Sequence, residues 1–218
     1  MAAARPCCVV IGAGPGLGAA IARRFARGGF AVGLVARRLE PLQALAAEIG
    51  EGSAVVSADA GDAADLAAAI ETATAQLGEP SVLVYNAAAA QGDGPADLDP
   101  KEFDARFRVN VGGAFTAARA VHDGMRSARR GTIIFTGGRL AVHPMAAYTS
   151  LSVGKAGIRA LALALHEAWA PDGVHVGTVT IHGLIGSDDH HAPEAIAESF
   201  WALHEQPAGS WDAELVYT

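Results

Sequence analysis

Between Val9 and Ala22 the chain reads Val-Val-Ile-Gly-Ala-Gly-Pro-Gly-Leu-Gly-Ala-Ala-Ile-Ala. An apolar strand passes through a glycine turn directly into an alanine-rich helix, and no other stretch constrains the fold as much. Gly12 admits a sharp turn, Gly16 leaves the backbone bare where a phosphate-bearing ligand would approach, and Gly18 lets the helix lie close on the strand. Such a turn leaves backbone N–H groups unpaired at a helix start, where the helix dipole favours an anion. The spacing is Gly-x3-Gly-x-Gly, and Leu17 breaks the strict Gly-x-Gly-x-x-Gly form. A tight turn without a ligand is the alternative at this point.

The rest of the chain repeats the strand-then-helix pattern. The pattern predicts strands at 7–11, 31–36, 54–58, 82–85, 131–136, 174–181 and 214–217. Helices are predicted at 18–27, 40–49, 63–77, 100–125, 148–170 and 193–204. Strands of near-continuous Val, Ile and Leu separated by helices imply a parallel sheet covered on both faces. Right-handed crossovers make it a single doubly wound α/β domain over residues 1–218, with about seven strands. Half of the 218 residues are hydrophobic, largely alanine, which suits close packing of helices on a sheet.

A net charge of −7 argues against a nucleic-acid partner. No apolar run reaches membrane-spanning length, and the expected setting is cytoplasmic. Cys7 and Cys8 are neighbours on a strand and point to opposite faces, which disfavours a disulfide between them.

In such a sheet, ligands bind beyond the carboxyl ends of the strands near the switch in strand order. The second strand ends in Ala36-Arg37-Arg38. An acidic residue there would bind a ribose hydroxyl, whereas Arg37 offers charge-assisted bonds to a phosphate. Solvation of the loop by two arginines is the plainer reading. Asp59 after the third strand can accept from an adenine amino group or cap the next helix. Asn86 after the fourth opens an Asn-Ala-Ala-Ala loop, as a ribose neighbour or as a turn stabiliser.

These features together resemble the short-chain dehydrogenase/reductase family over nearly the whole chain. The Gly12/Gly16/Gly18 turn, Asp59, the Asn86 loop, Arg108-Val-Asn-Val-Gly112 and Lys155 in a Ser-x-x-Lys-Ala setting match in order and spacing. The resemblance implies a Rossmann-type fold, and a homodimer or homotetramer paired through two long helices. It implies NADP(H) as cofactor, with Arg37 favouring the phosphorylated form. The cofactor contacts so implied are Gly12, Gly14, Gly16, Leu17, Gly18, Arg37, Arg38, Asp59, Asn86, Lys155, Gly183 and Ser187.

The family's hydride chemistry uses Asn, Ser, Tyr and Lys. Asn110 and Lys155 match. The tyrosine position, four residues before the lysine, is Leu151; the serine position, thirteen residues before that, is Gly138. After the sixth strand, His182-Gly183 stands where the family usually has Pro-Gly. The segment that follows is short, which implies a reduced lid.

Three residues are candidates for the missing acid. Tyr148 lies nearly two helical turns before Lys155, roughly 10 Å along the axis. His143 and His182 titrate in the useful range. Each has a plainer role: pocket wall or interface for Tyr148, loop residue for His143, strand-end support for His182. Thr136 and the serines flanking Leu151 are weaker choices, and His190-His191 lacks the company a metal pair needs. Three functions stay open. They are an NADPH-dependent reductase of an imine, enone or other atypical substrate, a non-redox lyase, isomerase or cyclase, and a cofactor-binding protein without catalysis. Leu140, Val142, Met145, Leu151, Leu184 and Ile185 point to an apolar small-molecule substrate.

Overall fold

A computed structural model describes residues 5–218. Seven parallel strands form one sheet: β1 Cys7–Ile11, β2 Ala31–Ala36, β3 Ser53–Ser57, β4 Pro80–Tyr85, β5 Gly131–Thr136, β6 Val174–Ile181 and β7 Glu214–Tyr217, in the order β3-β2-β1-β4-β5-β6-β7. The chain starts in the middle, moves outward to β3, then returns to place β4 beside β1. That reversal puts the switch point at the ends of β1 and β4, where Asn86 N donates to Ile11 O at 2.8 Å.

The helices are α1 Leu17–Arg27, α2 Leu39–Ile49, α3 Ala63–Leu77, α4 Pro100–Phe107, α5 Gly113–Ala128, α6 Thr149–Trp169 and α7 Pro193–His204. Those of one face (α3, α5, α6) bury Ile70, Ala117, Val121, Ile158 and Leu165 against Val9, Leu83 and Ile133. On the other face α1, α2 and α7 bury Ile21, Phe25, Leu42 and Phe200 against Val10, Leu34 and Val84. Cys7 joins the first core and Cys8 the second, as strand alternation requires. Both thiols are free. Burial, and then Glu79, push Cys7 up to about 11; burial, and then Cys7, push Cys8 upward as well.

Element bounds differ from the sequence reading by a residue or two at most ends, with one larger difference. The helix expected over 100–125 is α4 and α5 joined by a π-helical segment, Arg108–Gly112, in which Gly113 N donates to Arg108 O. Within it the Val109 carbonyl accepts from the buried Tyr85 hydroxyl. Such π segments recur at functional positions, and this one carries Asn110. Among the described residues no helix is long and apolar enough to cross a membrane.

Candidate active site

The glycine turn is built by steric necessity. Gly12 has φ +83, and a Cβ there would lie 2.5 Å from Ala87 N. A Cβ on Gly18 would collide with the Gly12 carbonyl. Gly14 and Gly16 are different: a Cβ on either would meet nothing within 4 Å, because both border open space. The turn therefore pins β1 to α1 at two glycines and bares its backbone at two others.

That bare backbone forms one wall of a cleft of about 530 Å³. Gly12, Gly14 and Pro15 line it beside Arg37 and Arg38 from the end of β2, Asp59 from the end of β3, and Asn86–Ala89 after β4. Leu17 is buried beneath the turn. Asp59 does not cap α3; Asp62 does, accepting from Ala64 N and Asp65 N at 3.0 and 3.1 Å. Asp59 Oδ1 accepts from Gly61 N at 2.8 Å, which fixes the carboxylate at the cleft wall. Asn86 has both ends of its amide engaged. Its Nδ2 donates to Gly12 O at 3.0 Å and its Oδ1 accepts from Thr136 Oγ1 at 2.9 Å. It stitches together the ends of β1, β4 and β5, the turn-stabilising role, while still lining the cleft.

Asn110 and Lys155 are placed by close helix packing. Gly154 and Gly157 on α6 have no room for a Cβ, which would lie 2.7 Å from Asn110 Cβ and 2.8 Å from Val111 Cγ2 respectively. Asn110 is buried, with Oδ1 accepting from Ala89 N at 2.8 Å and Nδ2 donating to Ala89 O at 3.3 Å. Lys155 Nζ donates to Thr136 O at 2.6 Å. Desolvation lowers its amine to about 8. Leu151, one turn earlier on α6, is buried. Gly138 has φ −178, ordinary extended backbone, and a Cβ there would sit 3.6 Å from Lys155 Cε. The backbone would accept a side chain at this position.

The remaining predicted residues divide. Tyr148 precedes the first turn of α6, and its ring edge packs toward Gly92. His143 and His182 come together, ring centroids 6.3 Å apart. Gly183 and Ser187 lie beyond β6, outside the cleft lining, with Ser187 Oγ donating to Asp188 Oδ2 at 3.1 Å. His190 and His191 are also engaged by protein: His190 Nε2 meets Thr218 O at 2.7 Å and His191 Nδ1 meets Asp188 Oδ1 at 2.9 Å. The His191 contacts hold the exposed Asp188 carboxyl down at about 2.

Sequence reasoning missed three supports. Thr136 serves both Asn86 and Lys155, and Tyr85 braces the π segment; a tyrosine and a threonine at the ends of otherwise apolar strands were the available signal. Asp93 accepts from Ser150 N at 3.2 Å, pairs with Arg106 at 2.8 Å and also accepts from Ser150 Oγ. It thereby ties the loop after β4 to the start of α6. Nothing in the local sequence announces that pairing.

The match to known proteins agrees with this geometry. Residues 6–188 match the family model described as short chain dehydrogenase. An NADP-dependent 3-hydroxy acid dehydrogenase of Salmonella typhi is 31% identical over 222 residues, covering 92% of this chain and 89% of that protein. A protein of Xanthobacter autotrophicus named inactive 2-(S)-hydroxypropyl-CoM dehydrogenase 2 is 32% identical, covering 78% of this chain and 73% of its own length. A metagenomic short-chain oxidoreductase solved with NADP superposes with a TM-score of 0.90 at 30% identity, covering 98% of this chain and 96% of that one. The chain belongs to the short-chain dehydrogenase family.

Proposed function

We propose that this chain binds NADP(H) and acts as an oxidoreductase whose proton-delivering group differs from the family's tyrosine. One observation carries the reading. The cleft at the switch point is complete, with its bare glycine backbone, Arg37, Asp59 and Asn86, whereas Leu151 and Gly138 put no hydroxyl beside Lys155.

The cleft fits such a cofactor. Gly14 and Gly16 leave room for a pyrophosphate against backbone N–H groups at the start of α1. Arg37, with Arg38 beside it, would hold a 2′-phosphate, and Asp59 and Asn86 would border the adenosine. Lys155 would bond the nicotinamide ribose; with leucine one turn away it has no phenol to activate. Gly183 and Ser187 would meet the carboxamide end. When bound, the nicotinamide supplies or takes a hydride. Asn110 holds the loop at Ala89 and so shapes the floor of the cleft.

A substrate whose reduction needs little protonation, such as an iminium or a conjugated alkene, suits a site without the tyrosine. Val142, Met145, Leu184 and Ile185 are exposed beyond the strand ends and give the substrate side an apolar lip. Exposed Phe107, Phe115 and Val153 on α4, α5 and α6 would pair with a second copy of the chain.

A second reading, a cofactor-binding protein without turnover, draws on the 32% identity to a relative named inactive. Calorimetric titration with NADPH and NADH tests the cofactor assignment common to both. NADPH should bind more tightly. Arg37→Asp should weaken NADPH binding by roughly 10- to 100-fold and leave NADH little changed, since a charge-assisted bond contributes about 1.5–3 kcal/mol. Equal affinities in the wild-type protein would contradict the assignment.

A further inference from the structure

β5 and β6 are adjacent parallel strands, and each sends a histidine past its carboxyl end. His182 is the first residue after β6, and His143 follows β5 through the turn Arg139–Ala141. Their rings meet edge to face, centroids 6.3 Å apart and planes at 75°. The same end of β5 holds Gly138 and the Thr136 carbonyl that anchors Lys155.

The backbone of His182 is clamped while its ring stays free. Its N–H donates to Tyr217 O at 2.7 Å, and its carbonyl accepts from His191 Nε2 at 3.2 Å. The next residue, Gly183, gives the His191 ring its space, because a Cβ there would collide with it. His191 is itself held by Asp188. On the facing side His143 N donates to Arg139 O at 2.9 Å. Among the described residues no protein group hydrogen-bonds to the ring nitrogens of His143 or His182. His143 is exposed and His182 half-buried, so both rings are open to a small polar ligand from the solvent side.

We propose that His143 and His182 together form the proton-delivering site for the substrate heteroatom, in place of the hydroxyl missing at residues 151 and 138. The inference rests on the oxidoreductase reading above. In the reductive direction the substrate carbon of a C=N or conjugated C=C group accepts hydride from reduced nicotinamide. The π electron pair moves to the far atom, and one imidazolium N–H proton passes to that atom. The ring is left neutral and is reprotonated by its neighbour or by water.

Charged groups surround the pair. Glu214 on β7 lies within electrostatic reach of His182. Arg139 lies in the turn before His143, Lys155 bonds Thr136 O at the end of β5, and His191 sits on the His182 carbonyl.

Two measurements test the pair. Ring-selective NMR titration of wild type, His143→Gln and His182→Gln, each with NADP+ bound, needs no substrate. In wild type the two rings should titrate as a coupled pair, and in each variant the survivor should titrate in one step. Single-turnover NADPH oxidation with 2-methyl-1-pyrroline and with cyclohexenone gives the second. Each variant should be slowed about 100-fold, with the pH dependence near neutrality flattened and NADPH affinity unchanged. Rings that titrate independently would overturn the pair, whether or not either probe compound is turned over. So would variants that keep the wild-type rate and pH profile while binding NADPH, an outcome that leaves the oxidoreductase reading standing. Failure of wild type to bind NADPH would remove that reading and this inference with it.

Discussion

Glycine does opposite work in the turn after β1 and in the turn after β5. At Gly12 and Gly18 the backbone itself forbids a side chain: Gly12 combines φ +83 with a Cβ site 2.5 Å from Ala87 N, and Gly18 lies against the Gly12 carbonyl. At Gly138 the backbone is extended and the nearest atom to a Cβ is the flexible Lys155 side chain at 3.6 Å. Its neighbour Gly137 is again obligatory, with Thr178 Oγ1 only 2.7 Å from a Cβ. The contrast separates two kinds of glycine. Gly12 and Gly18 are demanded by the fold, whereas at Gly138 the backbone leaves room for a side chain. On the proposed reading the cleft is kept whole while positions 151 and 138 offer no hydroxyl.

The sharpest way to break this comparison is at Gly18. Gly18→Ala should destabilise the protein by about 3 kcal/mol, at the upper end of overpacking costs, and abolish NADPH binding. Thermal unfolding and calorimetry would show both. An alanine there that left stability and binding intact would mean that the close approach of β1 and α1 is not what the turn requires.

Lys155 sharpens the other half. Its amine is lowered to about 8 by desolvation, so near neutral pH the folded state carries a charge it disfavours and the unfolded state does not. The sign follows: this cost is present below the folded pKa and fades as pH rises toward the unfolded value. Lys155→Met should stabilise the ligand-free protein by about 1 kcal/mol, net of the lost bond to Thr136 O, and weaken NADPH binding roughly 10-fold. Urea melts with and without NADPH would separate the two effects. Lower stability with unchanged affinity would make the lysine a structural residue.

Much of this was legible in the sequence, for identifiable reasons. The strands and helices followed from apolar runs broken by glycine and alanine-rich segments, and the turn at Gly12–Gly18 from spacing alone. Arg37, Asp59 and Asn86 could be placed because a parallel sheet puts every strand end on one edge. The π segment was not legible. Nothing in Arg108–Gly112 marks where the helical register widens, and the bond that Tyr85, 24 residues away in the chain, makes to the Val109 carbonyl is a tertiary contact. The meeting of His143 with His182 was equally hidden, since it depends on β5 lying beside β6. Each histidine could be proposed, but their pairing is a property of the sheet.

A smaller effect comes from the opposite edge of the sheet. His175 and His204 are held below the ordinary imidazole value, first by burial. The folded state therefore keeps them neutral where the unfolded chain binds protons. Stability should fall as pH drops through about 6.5 toward about 5. Urea denaturation at the two pH values reads it. A flat stability across that range would show that these rings take up protons in the folded protein as readily as in the unfolded chain.

The central claim, a complete cofactor cleft beside a substrate end without the usual hydroxyls, is tested most directly by NADPH oxidation with simple ketones. A developing alkoxide needs a donor near the carbonyl oxygen, and leucine and glycine supply none. Wild type should bind NADPH yet reduce cyclohexanone or acetophenone only feebly. Leu151→Tyr combined with Gly138→Ser, once shown to fold and to bind NADPH, should be faster by about 100-fold, because Asn110 and Lys155 are the residues proposed to support the added groups. Brisk ketone reduction by the wild-type protein, at the roughly 1–1000 per second of ordinary enzymes, would contradict the account.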